Sequence, residues 1–264
     1  MKRSVIATAR RWAAMAAVSL GLFVLSAPTV SALTCEVSPS LVPITMSYHG
    51  AKLTITGTSG VNEDLVLKIS SVPADSVMKY KAKVGGVFWM KKGSLDFKNV
   101  PGVYLLNSTA DLSRILPAGA RNQYQLGYES LAAAASVEDS NGEPVDGKWF
   151  NEFIRFKERE MVYDIQEGTI TRRHGEESNT FEVMVDWPYQ APPGVYNVEL
   201  LAVSNGTVVD QAGTTFEVQR VGIGAALSKM AFEQAALYGI MAVVIALAAG
   251  LAVGVIFKKG GGSH

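Results

Sequence analysis

The chain has 264 residues, with 24 basic side chains, 24 acidic ones and a single cysteine. Four of the basic residues (Lys2, Arg3, Arg10, Arg11) lie in the first 32 positions, so residues 33–264 carry 20 against 24, a net charge of −4. That balance gives no electrostatic argument for nucleic-acid binding. A lone Cys35 excludes an intramolecular disulfide and the two-thiol attachment of a c-type haem.

Residues 1–32 begin with the four basic side chains and continue into an apolar stretch from Trp12 to Val24. Val30-Ser31-Ala32 then offers small side chains at the positions a signal peptidase inspects. The pattern predicts a signal peptide over 1–32 and a mature start at Leu33. An uncleaved N-terminal anchor is the competing reading, but Pro28 interrupts a stretch already short for a span of about 20 residues. Arg10-Arg11 reads as part of a basic n-region rather than a twin-arginine signal, and Ala32-Leu33-Thr34 before Cys35 does not form a lipobox.

From Leu33 to Arg220 short alternating runs dominate. Strands are predicted over 44–48, 52–56, 65–69, 78–84, 87–90, 95–97, 103–106, 180–186, 194–203, 207–210 and 214–218. Turns are predicted at His49-Gly50, Gly85-Gly86, Lys92-Gly93, Pro101-Gly102 and Asn205-Gly206, the last being a strong hairpin signal. The middle is helical in pattern: one or two turns over 111–116, then helices over 122–137 and 148–163, the latter with Phe150, Phe153, Ile154 and Met161 near helical spacing. The expected fold is mainly β: an immunoglobulin-like β-sandwich over 33–220 with a helical insertion near 111–163. A juxtamembrane segment over 221–234 leads to one C-terminal transmembrane helix.

That helix is predicted over 235–257, where 23 residues carry no charge. At 1.5 Å per residue it reaches about 34 Å, enough to cross a hydrocarbon core of about 30 Å. Lys258 and Lys259 follow at once, so 258–264 reads as a cytoplasmic tail with the sandwich in the periplasm of a bacterial inner membrane. Ala242, Ala246, Gly250 and Gly254 recur every four residues and make a small-residue stripe. It reads either as a helix–helix contact or as plain Ala/Gly composition.

Several segments resemble a known family. Ile44-Thr-Met-Ser-Tyr-His-Gly-Ala-Lys-Leu-Thr-Ile-Thr-Gly57, Pro101-Gly-Val-Tyr-Leu105, Pro192-Pro-Gly-Val-Tyr-Asn-Val-Glu-Leu200 with Asn205-Gly206, and Phe216-Glu-Val-Gln-Arg-Val-Gly222 occur in the order seen in the bacterial transmembrane family Alph_Pro_TM. The resemblance implies a cytoplasmic-membrane protein with a periplasmic domain and no established catalytic activity. It also implies an association with sulfite-exporter-type permeases.

Chemistry-bearing motifs are sparse. His49, His174 and His264 fall in no metal-ligand spacing, and no G-x-S-x-G or phosphate-binding loop occurs. Glu158 with Glu160 and Glu176 with Glu177 sit in charge-mixed segments, so no enzyme and no cofactor is expected. One constellation stands out. Lys79, Lys81 and Lys83 alternate along a strand and share a face opposite Tyr80, Ala82 and Val84. Lys91, Lys92 and Lys98 lie on the following strands beside Trp89. This face reads either as an edge strand guarded by lysines or as a docking face for an acidic partner, an anion or a lipid head group. The leading functional expectation is a non-enzymatic accessory or scaffolding subunit of an inner-membrane transport or respiratory complex, with an integral membrane protein as partner. The alternative is a periplasmic small-anion binding module.

Overall fold

The computed structural model describes residues 33–84, 87–175 and 178–258. The signal segment over 1–32, the Gly85-Gly86 turn, Glu176-Glu177 and the tail beyond Lys258 with His264 lie outside the described residues. The described chain is mainly β, arranged as three sheets with helices and one long apolar C-terminal helix.

The first sheet orders β1 (Glu36–Ser38), β3 (Ala51–Ser59), β11 (Asn179–Trp187) and β10 (Thr171–Arg173) as β1-β3-β11-β10. Along β11 every second residue is buried, so Phe181, Val183, Val185 and Trp187 face inward while Glu182, Met184 and Asp186 face out. This is the period-two amphipathicity of a sheet with one dry face. The second sheet orders β2 (Leu41–Ile44), β13 (Thr207–Arg220), β12 (Gly194–Ser204), β4 (Asp64–Ser71), β7 (Tyr104–Ser108) and β9 (Tyr163–Gln166) as β2-β13-β12-β4-β7-β9. Trp187 joins the two sheets: its ring meets Tyr196 of β12 edge-on at 4.5 Å and Phe216 of β13 edge-on at 4.9 Å. Tyr196 also donates from its hydroxyl to the Pro192 carbonyl, 2.6 Å away, pinning the corner that leads into β12. At the other end of β12, Asn205 and Gly206 take φ of 50° and 76°, which turns the chain tightly into β13.

The far face of the second sheet is covered as well. Val66 and Leu201 are fully buried there, and all five residues of β7 are buried. Three short helices pass over this side: α1 (Leu112–Ile115), α2 (Ala118–Tyr124) and α3 (Tyr128–Ala134). The Tyr104 hydroxyl ties them down. It donates to the Gln125 carbonyl at 2.9 Å and accepts from the Gly127 amide at 2.8 Å. Buried beneath them, Lys68 donates to the Tyr124 carbonyl at 2.9 Å and pairs with Glu199 at 3.0 Å.

The third sheet holds β5 (Pro73–Val84), β6 (Phe88–Pro101) and β8 (Ser136–Asp139), with β6 in the middle. It prolongs the β4–β7 ladder, since Ser70 pairs with Tyr104, Pro73 with Pro101 and Ala74 with Val100. Helix α4 (Lys148–Arg159) packs on its base, where Phe153 stacks on Phe97 at 4.3 Å.

Five expectations are corrected. The strand over 44–48 is absent; Leu41–Ile44 pairs instead, in parallel, with Glu217–Arg220. Pro43 lacks an amide hydrogen and so suits an edge strand such as this one. The helix over 122–137 is broken, because Gln125 and Gly127 take φ of 54° and 92° while Leu126 is buried between them. Ser136 and Val137 pair instead with Lys98 and Phe97 of β6. The helix over 148–163 stops at Arg159: Met161 has φ 57° and the chain reverses into β9. Lys92-Gly93 is no turn, since β6 runs through it with Lys92 as an extra, bulged residue. Likewise 207–210 and 214–218 form one continuous strand, β13.

Helix α5 (Ile223–Glu233) follows β13, and after a break at Gln234 helix α6 runs from Ala235 to Lys258.

Candidate functional site

The β5–β6 pair leaves the body of the protein as a ribbon. β8 pairs only with Leu95–Lys98, so from Ser94 to the tip the ribbon is two strands wide. Register assigns its faces. Lys79 lies opposite Ser94, Lys81 opposite Lys91, and Lys83 opposite Trp89. Cross-strand partners share a face, so Lys79, Lys81, Lys83 and Lys91 come together with Trp89. The Lys83 ammonium sits 5.4 Å from the Trp89 ring centroid, in cation–π range. Lys92 is the bulged residue beside them. Lys98 is not brought into this group. It lies at the ribbon base and pairs with Asp75 at 3.1 Å, and that hydrogen bond is the main reason its ammonium is held above the usual lysine range.

On the opposite face Met78 lies across from Leu95 and Tyr80 across from Gly93, and Met90 and Phe88 continue the row toward the tip. Near the base this face is covered, with Tyr80 packed on Trp149 of α4 at 5.0 Å. Gly93 allows this, because a Cβ there would come within 3.0 Å of the Tyr80 ring. Nearer the tip the covering ends. Phe88 is 72% exposed and Trp89 65% exposed, with Val87 and Met90 exposed beside them. Trp89 and the lysines stand out in the sequence, whereas 87–90 reads there as an ordinary strand. Four consecutive apolar residues next to lysines, without alternation, were the available sign.

Elsewhere the molecule offers shallow clefts. One of about 420 Å³ lies between β7, β9 and β11, lined in part by Asn107, Glu158, Asp164 and Gln166. Its polar groups bond to neighbours: Asn107 to Thr169 at 2.9 Å and Gln166 to Asp164 at 2.7 Å. His49 directs Nδ1 at its neighbouring Ser47 carbonyl, 2.7 Å away, and His174 is exposed. Burial, with a smaller push from Glu36, raises the half-buried Cys35 thiol to about 11, so little of it is the reactive thiolate near neutrality. Among the described residues no three His, Cys, Asp or Glu side chains are grouped to hold a metal ion.

In α6, Ala235–Val255 is a helix of 21 residues, long and apolar enough to cross a membrane, and none of its most apolar window is buried by the rest of the chain. Ala242, Ala246, Gly250 and Gly254 are all exposed along it, and a Cβ on either glycine would meet nothing within 4 Å. A β-rich domain followed by such a helix defines the class as a membrane protein with one candidate C-terminal span. More particularly, the chain belongs to the family described as "Putative transmembrane protein (Alph_Pro_TM)", whose model matches residues 32–259. No curated protein and no solved structure matches it.

Proposed function

We propose that this protein is a non-enzymatic accessory subunit, anchored in a bacterial inner membrane by α6, with its sandwich in the periplasm. Its partner is an integral membrane protein of a transport or respiratory system, such as a sulfite-exporter-type permease. The observation that carries the proposal is the bare flank of α6, whose most apolar stretch packs against nothing in its own chain. A span that only tethers needs hydrophobicity alone. Gly250 and Gly254 add a strip where a second helix backbone can approach closely. Lys258 and Lys259 at its end support a cytoplasmic C-terminus.

The sandwich itself is of immunoglobulin type in this proposal. The order β1-β3-β11-β10 facing β13-β12-β4 parallels the ABED and GFC sheets of that fold, and Tyr196 bonding back to Pro192 at the start of β12 parallels its tyrosine corner.

Photocrosslinking from Val243 and Leu247, exposed residues flanking the small-residue stripe, tests the accessory role in native membranes. The expected adduct is a multi-span protein, and Gly250→Leu with Gly254→Leu abolishes it by blocking close approach. Recovery of a detergent-stable monomer with lipid adducts alone overturns the proposal.

The lysine face favours a second reading, small-anion binding, because no acidic residue lies between Asp75 and Asp96. Open ammonium groups on a ribbon hold a free anion weakly, since each is fully hydrated and screened by salt.

A further inference from the structure

We infer that the ribbon tip docks on the surface of an anionic phospholipid bilayer, with Phe88 and Trp89 entering the headgroup region and Lys81, Lys83, Lys91 and Lys92 engaging lipid phosphates. This rests on the reading of α6 as a membrane span, because the anchor is what holds the ribbon near a bilayer.

Three observations converge on lipid. First, Phe88 and Trp89 project from opposite faces, so the tip is apolar on both sides, and both are mostly exposed. Folding usually removes large apolar side chains such as these from water. Leaving an aromatic pair bare at the end of an extended ribbon has no stabilising role within the chain. Second, the lysines stand beside the aromatics and just behind them. Lys83 pairs across from Trp89, and Lys91 follows Phe88 by three residues, about 10 Å at 3.3 Å per residue. Interfacial segments bury their apolar part roughly 5–10 Å deep, which sets those ammonium groups at phosphate level. Third, the charge is one-signed: no carboxylate lies between Asp75 and Asp96 to neutralise it. Each lysine near an anionic surface adds to the attraction, which falls off with salt. A Trp beside lysines is also the pairing found at membrane interfaces, where an amphipathic ring sits between water and hydrocarbon.

The arrangement differs from a guarded edge strand. Lysines that only prevent edge pairing need no aromatics, and a guarded edge gains nothing from an apolar tip. It differs from a cleft for a free anion too, since these lysines are exposed side chains on a two-stranded ribbon.

The test uses the full chain reconstituted into vesicles of phosphatidylcholine alone or mixed with phosphatidylglycerol, some carrying spin labels near the glycerol end of the acyl chains. Flotation first establishes that the protein is membrane-inserted. Tryptophan quenching is then compared between the parent chain and Trp89→Phe, which isolates the Trp89 signal. We expect Trp89 to be quenched in the anionic vesicles, several-fold less in the neutral ones, and several-fold less when Lys81, Lys83, Lys91 and Lys92 are all replaced by Gln. Protein that floats with Trp89 unquenched overturns this inference and leaves the anchor reading intact. Protein that fails to float overturns both. Equal quenching in the two vesicle types shows that lipid charge is not recognised and contradicts the lysine role. A Trp89 emission shift with inorganic phosphate in detergent, or crosslinks from Lys81 to an acidic protein with no lipid quenching, reassigns the surface to a free anion or to a protein partner.

Discussion

Trp187→Ala lowers the unfolding free energy by about 3–5 kcal/mol, the usual cost of emptying a large aromatic site. The residue is 2% exposed and is the point where the first sheet meets the second, through edge-on contacts to Tyr196 and Phe216. Those two rings stack on one another at 5.5 Å, so removing the indole loosens a three-ring cluster rather than one contact. A domain of ordinary stability has about 5–15 kcal/mol in total, so the variant loses about a fifth of it or more. Trp187→Phe is the informative companion. The indole Nε1 is buried with no hydrogen-bond partner, so this change sheds an unpaired donor while keeping a ring in the cluster. Its cost is expected at about 1 kcal/mol or less. Urea unfolding of the full chain in micelles, followed by near-ultraviolet circular dichroism, measures both. A Trp187→Ala loss below about 1 kcal/mol would mean that the sheets are not joined here.

The second large effect is asymmetric. Lys68 and Glu199 face each other directly across β4 and β12, with side chains 8% and 30% exposed. Removing the carboxylate strands a buried ammonium whose remaining bond is to the Tyr124 carbonyl. Removing the ammonium leaves a carboxylate that still reaches water. Glu199→Gln should therefore cost about 3 kcal/mol, and Lys68→Met roughly half as much, since breaking a buried pair is penalised mainly through the charge left behind. Lys68→Met combined with Glu199→Leu should recover most of the loss, because an apolar pair can replace a buried ion pair at little cost. Denaturation midpoints of the three variants decide it. If Lys68→Met proves the worst of them, the carboxylate rather than the ammonium is the dependent partner.

The strands of the two facing sheets were legible because their side chains alternate cleanly, as 181–187 does with one dry face. The helical layer was read as an insertion, yet its position was visible in the neighbouring strands. Leu65-Val66-Leu67 and Leu200-Leu201-Ala202-Val203 are continuous apolar runs, which a strand shows when both of its faces are buried. Helix ends misled for a local reason. Gln125 and Met161 adopt left-handed backbone conformations that their residue types rarely announce, so nothing at those positions signals a stop. For the ribbon, lysine alternation gave the charged face, but the bulge at Lys92 shifts the register of β6 against β5 by one residue. Only pairing could show that Lys91 and Trp89 join Lys81 and Lys83. The separation of Lys98 from that group has the same origin, as Asp75 is its neighbour only in the folded ribbon.

The proposal of an anchored protein with its sandwich outside the cytoplasm is tested most directly by protease added to spheroplasts and, separately, to inside-out membrane vesicles. The expected result is digestion of residues 33–220 in spheroplasts, leaving a small membrane-bound fragment containing α6, and protection of the same region in inside-out vesicles. Protection in spheroplasts with digestion in inside-out vesicles would place the sandwich in the cytoplasm and contradict the proposal.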